Sequence, residues 1–339
     1  MPELPEVENF RRLLLPLVSK AGTLSLECTS SAPPRKFPSA LDFKALHKNC
    51  RVSRVERKGK LICLVLECIQ KVQNQKCVYL FLHMGMTGRI STPDMIPKLV
   101  ELKDDSEYPP PYTHLVLKTD LAEASYSDPR KFGSVRLSTS LEDGFGELAP
   151  DALFLCGPTT ATTLDGLVGK QMGIKGLLLD QKRVMSGIGN WVADEVLYQS
   201  RIHPDQTHLS RPQVEALGTI IQFVLSTAVA CLDRNEEFPS DWLFHCRWGK
   251  RKKTAIQDPK GRAVTFLTSA SRTSAIVPSI QRKTAPTKNS AKMTPLNPKS
   301  QDEVVTAQKK KKRPAKEPST LTNDEILIKK RKSPRLSSK

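Results

Sequence analysis

Apolar residues Val7, Phe10, Leu13, Leu14 and Leu17 recur at steps of three and four, the spacing of one face of an amphipathic helix. Pro5 and Glu6 suit its first turn, where a missing amide hydrogen is harmless and an acidic side chain meets the positive helix end. From about residue 22 to 138 the pattern changes to short β-rich runs, notably 61–66, 77–82, 113–117, 124–126 and 134–137, broken by Gly, Pro and Asp. These runs predict a β-sandwich or barrel. Helical spacing returns over 164–168, 174–185, 190–200 and 211–233, which puts a domain boundary near 145–150. Over 242–280 a small hairpin is expected, with a turn at Asp258-Pro259-Lys260-Gly261 and further strands over 263–268 and 275–278. The pattern therefore divides the chain into an N-terminal β-rich domain (1–148), a helical domain (149–241), a hairpin segment (242–281) and a tail (282–339).

Composition adds a partner class. A formal net charge of +18 favours a polyanion, nucleic acid before acidic lipid, because so basic a surface repels itself until anions neutralise it. The charge is concentrated: residues 282–339 hold 17 Lys and Arg against 5 Asp and Glu, leaving only +6 for the rest. That tail has no aromatic residue and too little apolar surface to offset the entropy of ordering, so it is expected to be disordered. Its blocks Lys309-Lys310-Lys311-Lys312-Arg313 and Lys329-Lys330-Arg331-Lys332 suit a nuclear address read by an import receptor, or nonspecific DNA tethering. No apolar run long enough to span a bilayer is apparent and the start lacks a secretory pattern, so a soluble, intracellular, nuclear protein without membrane contact is expected. The eight cysteines contain no C-x-x-C pair and read as ordinary reduced thiols.

The opening Met1-Pro2-Glu3-Leu4-Pro5-Glu6-Val7-Glu8 carries candidate chemistry. A small residue after Met permits removal of the initiator, which frees the secondary amine of Pro2. An α-amino group titrates about two units below a lysine, so far more of it is nucleophilic near neutral pH. Attack by a secondary amine on a sugar C1′ yields an iminium that cannot lose a proton to become a neutral imine, so it persists as an electron sink. Glu3 is placed to protonate the sugar oxygen and shuttle protons, with Glu6 in support. By composition alone, Pro2 and Pro5 could simply start a helix.

The start Pro-Glu-Leu-Pro-Glu-Val-Glu resembles the N-terminal signature of the formamidopyrimidine-DNA glycosylase family, and further motifs resemble the same family. Arg57-Lys58-Gly59-Lys60 before an apolar strand looks like its hairpin with a catalytic lysine, which would be Lys60. His83-Met84-Gly85-Met86-Thr87-Gly88-Arg89 resembles the loop that fills the space of the damaged base, a role for Met86. Asp128-Pro129-Arg130-Lys131-Phe132-Gly133 looks like the loop where Arg130 would bond the orphaned partner base and Phe132 would wedge the opposite strand. The span from Ile174-Lys175 to Gly187-Ile188-Gly189-Asn190 resembles the helix-two-turns-helix, with Lys175, Gly189 and Asn190 at the DNA face and Asn190 able to cap the second helix. Arg272 aligns with the finger arginine that clamps the phosphates flanking a flipped nucleotide.

The resemblance spans about residues 2–282 and implies an α+β protein, with a β-sandwich flanked by helices followed by the helix-two-turns-helix domain. It implies a DNA glycosylase with abasic-site lyase activity on damaged double-stranded DNA, acting as a monomer without cofactor on formamidopyrimidines and other oxidised purines, 8-oxoguanine included. Two departures stand out. Many members close with a four-cysteine zinc finger, yet 242–280 holds only Cys246, so the zincless hairpin of eukaryotic, plant or fungal, members is expected and no metal. The connection from Leu232 to Trp242 is short where bacterial members cap an oxidised purine, which weakens the case for 8-oxoguanine. An endonuclease VIII-like activity on oxidised pyrimidines and a nonenzymatic damage sensor are the rival readings; Leu4, and the joint presence of Pro2, Glu3 and Lys60, weigh against them. For the tail, fusion of residues 300–339 to a fluorescent protein is expected to carry the reporter into the nucleus; a reporter left outside removes the targeting role.

Overall fold

The computed structural model describes residues 2–20, 22–29, 36–72, 74–99, 102, 107–155, 163–168, 172–251 and 254–284. Both basic blocks and the tail from residue 285 onward lie outside them. The elements are α1 (Leu4–Leu14), β1 (Ser25–Cys28), α2 (Ala40–Leu46), β2 (Cys50–Lys58), β3 (Leu61–Val72), β4 (Gln75–His83), β5 (Arg89–Ser91), β6 (Thr113–Lys118), β7 (Glu123–Ser127), β8 (Ser134–Ser138), α3 (Glu142–Phe145), α4 (Ile174–Leu179), α5 (Asn190–Gln199), α6 (Arg211–Asp233), β9 (Thr265–Ser269) and β10 (Arg272–Ile276).

Two antiparallel sheets, ordered β2-β3-β4-β8 and β1-β6-β7-β5, face each other. Their inward residues, among them Ile62, Leu64, Leu80, Leu82, Leu115 and Tyr126, share one core with Val7, Phe10 and Leu14 of α1. The period-two alternation of β3 and β4 sends Cys63, Val65 and Phe81 to the other face, where Phe145 of α3 covers them. The second core is helical: Leu177 and Leu178 of α4, Val192 and Val196 of α5, and Leu217, Ile221 and Leu225 of α6 pack together. Leu4 belongs to this second core, so α1 is shared between the two layers. The strand-rich half, the change to helices and the hairpin are as the pattern predicts.

Four expectations are corrected. Cys50 and Cys68 form a disulfide and are not free thiols: they are direct partners across β2 and β3, with Cα atoms 4.0 Å apart. The helix expected over 174–185 stops at Leu179. Asp180 accepts from Lys182 N–H (3.0 Å), while the Gln181 amide donates to Leu179 and Ile188 carbonyls and accepts from Gly187 N–H, so side chains replace the helical ladder. In the finger, the second strand begins at Arg272, three residues before the expected start. The turn joining β9 and β10 is Ala270-Ser271, both at positive φ (48° and 58°), a tight hairpin turn that the sequence marks with no Gly or Asn. Finally, α6 reaches the length and apolarity of a membrane-crossing helix, contrary to the absence of any such run. Half of its most apolar window is buried, against the second core, as expected of a core helix.

A buried ion cluster ties the sandwich to the helical half. The Arg57 guanidinium donates to Glu8 (2.8 Å) and to both oxygens of Asp151, and its side chain is 1 % exposed. Burial alone would raise Glu8, but hydrogen bonds from Arg11 and Arg57 overcome it and hold the carboxyl down at about 2. Because this folded-state value lies below the ordinary 4.5, the stabilisation is complete above about pH 4.5 and is lost as pH falls toward 2. Chemical denaturation across pH 2–6 should show that loss. Arg57→Met, which leaves two buried carboxylates uncompensated, should cost roughly 3–5 kcal/mol at neutral pH and flatten the acid limb.

Candidate nucleic-acid active site

The first turn of α1 is anchored by a side chain from outside it. Gly189 is the N-cap of α5, and the orphan amides of that helix, Trp191 N–H and Val192 N–H, donate to the two Glu3 carboxylate oxygens at 2.8 and 3.0 Å. A helix N-terminus with free amides holds an anion well, and here the anion is Glu3, itself 2 % exposed. A Cβ at residue 189 would collide with the Glu3 carboxyl, so glycine is required there. Gly189 and Asn190 are thus corrected: Gly189 is buried beneath Glu3 and does not face DNA, and Asn190 does not cap the helix. Instead Asn190 Nδ2 donates to the Thr273 carbonyl (3.0 Å), and its Oδ1 has no partner.

With Glu3 held, its neighbours converge. Pro2 is buried beside it, and Glu3 N–H donates to Glu6 Oε2 (3.0 Å). Burial, then the charge of Glu3, pushes the Glu6 carboxyl up to about 7. Lys60 stands at the turn between β2 and β3 within electrostatic reach of Glu3, Glu6 and Arg272. Burial pulls its ammonium below the usual lysine value, with the two carboxylates working the other way and Arg272 adding to the depression. The turn itself is gripped from the helical half, where Asp151 accepts from Gly59 N–H (2.6 Å) as well as from Arg57. His83 pairs in register with Leu61, and its imidazole is held below its ordinary value by surrounding protein and by Lys60. Pro2, Glu3, Glu6, Lys60, His83 and Arg272, spread over 270 positions of sequence, are therefore brought to one locality.

The two recognition loops share one organiser that sequence reading did not single out. Asp128, fully buried, accepts from Thr87 Oγ1 (2.6 Å) and Gly133 N–H (2.7 Å), while Arg130 N–H donates back to Thr87 Oγ1 (3.3 Å). Gly85 sits at φ +58°, with the Phe132 backbone where a Cβ would project. Met86 and Phe132 therefore lie on abutting loops. Phe132 is 58 % exposed, and the Arg130 guanidinium lies 5.0 Å from its ring centroid. An apolar ring held outward under a cation suits insertion into a base stack.

Lys175, expected at the DNA face, is fully enclosed. Its ammonium donates to Asp194 Oδ1 (2.6 Å), to Ser274 Oγ and to the Thr273 carbonyl, which uses all three of its hydrogens. Asp194 also accepts from Arg247 (2.9 Å) and Ala275 N–H (3.3 Å). Lys175 thus holds the finger strand β10, and through it the placement of Arg272, in place of touching phosphate. The finger contains a single thiol, Cys246, so a four-thiolate metal site does not fit, and among the described residues no His, Cys, Asp and Glu cluster is arranged to hold a metal.

The arrangement matches solved repair-enzyme structures. It aligns over 83 % of this chain and all of the Lactococcus lactis formamidopyrimidine-DNA glycosylase bound non-covalently to abasic-site DNA (TM-score 0.61, 22 % identity), which establishes the fold. The Thermus thermophilus protein aligns over 84 % of this chain and all of its own (TM-score 0.60, 26 % identity). The class is that of DNA glycosylases of base excision repair. Residues 1–135 match the formamidopyrimidine-DNA glycosylase N-terminal domain and residues 148–237 the helix-two-turns-helix domain of the same enzymes. The Arabidopsis thaliana formamidopyrimidine-DNA glycosylase is 38 % identical over 293 residues, 83 % of this chain and 71 % of that one, and the Rhodococcus jostii enzyme 33 % over 242 residues, 68 % and 76 %. The chain belongs to the formamidopyrimidine-DNA glycosylase family. Glu6 keeps its proton below about pH 7 and loses it above. Base excision measured across pH 5.5–8.5 should therefore fall as pH rises through 7, and Glu6→Gln, which cannot ionise, should lack that inflection.

Proposed function

We propose that this chain excises ring-opened and oxidised purines from double-stranded DNA and then cuts the strand at the resulting abasic site. The observation that carries the reading is the Glu3 carboxylate fixed on the α5 N-terminus, because it sets Pro2 beside Glu6 and within the locality of Lys60. With Met1 removed, the Pro2 amine forms a bond to C1′ as the glycosidic bond breaks and the base leaves with that electron pair and a proton. Loss of a C2′ proton to the iminium sink then breaks the C3′–O bond, and a second elimination breaks the C5′–O bond. Glu3, Glu6 and Lys60 supply and take the protons at short range, a general acid–base contribution of about 10²–10⁴-fold.

The remaining groups serve extrusion of the damaged nucleotide. Met86 fills the vacated stack, Arg130 pairs with the orphaned base, Phe132 wedges the opposite strand and Arg272 clamps the flanking phosphates. The abasic-site DNA bound by the Lactococcus lactis enzyme supports damaged duplex as the substrate, and one chain acting alone suffices for such a site.

Sodium-borohydride trapping on an abasic duplex, followed by peptide mapping, tests the nucleophile. The native protein should form an adduct at residue 2. Pro2→Gly should reduce trapping strongly, and Lys60→Ala should slow base excision by at least tenfold while still allowing a trapped adduct on abasic DNA. Folded, DNA-binding protein that gives no adduct overturns the lyase reading.

A further inference from the structure

Glu6 also lines a cavity of about 580 Å³ that the catalytic groups do not fill. One wall comes from the connection between β5 and β6, with Met95 and Leu99; the other is aromatic. Trp191 and Phe238 stack with centroids 5.2 Å apart, and Phe244 stands edge-on to Trp191 (5.1 Å), to Phe238 (4.7 Å) and to Trp248 (5.8 Å). This wall is fixed from behind, since Phe244 N–H donates to the buried Glu195 carboxyl at 2.9 Å. Trp191 is 3 % exposed and its indole N–H, buried, has no hydrogen-bond partner. An unpaired buried donor beside a void calls for an acceptor on whatever enters.

The lining chemistry selects the occupant. Glu6, Glu236 and Glu237 all face the cavity, accompanied by Lys98 and His245, so a phosphate gains little there. Flat aromatic faces, a donor at Trp191 and carboxyl acceptors suit a neutral planar group that has both carbonyl oxygens and N–H bonds. A damaged base meets that description, and Glu6 joins the cavity directly to the sugar-attacking centre. The volume exceeds what an unsubstituted purine fills, and the surplus is bordered by Met95 and Leu99.

We propose that this cavity receives the extruded base and that the Met95 wall sets its size limit, admitting ring-opened purines that carry an apolar substituent on the formamido nitrogen. This rests on the glycosylase reading and deepens it by naming the substrate class. The short connection after α6 supplies only the carboxylate rim, so the element that limits size belongs to the sandwich domain. Met95 is well placed for a test: its backbone is fixed by mutual hydrogen bonds with Thr92 (2.8 and 3.1 Å), and its side chain is half-buried.

The full chain should be assayed on three duplexes: one with an unsubstituted formamidopyrimidine, one with a benzyl group on the formamido nitrogen, and one with an abasic site, which carries no base to exclude. The native protein is expected to excise both bases at comparable rates. Met95→Trp should lower the ratio of benzyl to unsubstituted excision by about tenfold or more, and Met95→Ala should not lower it. Cleavage of the abasic duplex by each variant verifies its fold. Rejection of the benzyl base by native protein, or a ratio that Met95→Trp leaves unchanged, overturns the proposal. Native protein that cleaves neither damaged bases nor the abasic duplex instead overturns the underlying glycosylase and lyase reading, a separate result.

Discussion

The carboxylate of Glu3 on the N-terminal amides of α5 is the contact from which the rest of the site is built. A chain terminus is ordinarily free to fray, and a nucleophile borne on it would lose the advantage of fixed geometry. Here the third residue is tied to a helix nearly 190 positions away, Leu4 is sunk into the helical core, and Val7 and Phe10 are sunk into the sandwich. The cost of burying a carboxylate is offset because two amide donors and the positive end of a helix meet it. The same contact makes the two layers interdependent: without α5 in place, Pro2, Glu3 and Glu6 have no fixed position.

Three other buried aspartates extend the principle, each saturated with donors and each holding one working element. Asp151 fixes the turn that carries Lys60, Asp128 joins the loops of Met86 and Phe132, and Asp194 secures the finger strand that starts at Arg272. A buried carboxylate is a costly way to add stability, but it has several directional acceptor positions, so it sets geometry where an apolar contact would allow sliding. The finger shows what this achieves without a metal. A small core of Tyr198, Leu243, Val264, Ala275 and Val277, the Lys175–Asp194–Arg247 cluster and the Asp258–Arg262 pair together hold a two-stranded ribbon that would be marginal alone.

The electrostatics of the centre follow from crowding unlike groups in a partly dry space. Glu6 is driven up and Lys60 down, so that near neutral pH both can exchange protons. Neither shift belongs to its residue in isolation. Each arises because Glu3 is held within reach by α5 and because Arg272 arrives from the finger.

By itself the sequence determined the order of elements, because periods of two and of three to four survive any packing: the α1 face, the strands from Leu61 to Leu137 and the long helix α6 were legible from spacing alone. It also marked Pro2, Glu3, Lys60, Met86, Arg130, Phe132 and Arg272, whose motifs are local and carry their own turn residues. Tertiary structure alone decided which partners those residues met. That Glu3, not Asn190, caps α5, that Lys175 is spent inside on Asp194, that Ala270-Ser271 makes the finger turn and that Cys50 faces Cys68 all depend on elements distant in sequence coming into register. Spacing records which face of an element is buried; it does not record what lies on the other side, and hydrogen bonds across 190 residues leave no local period to read.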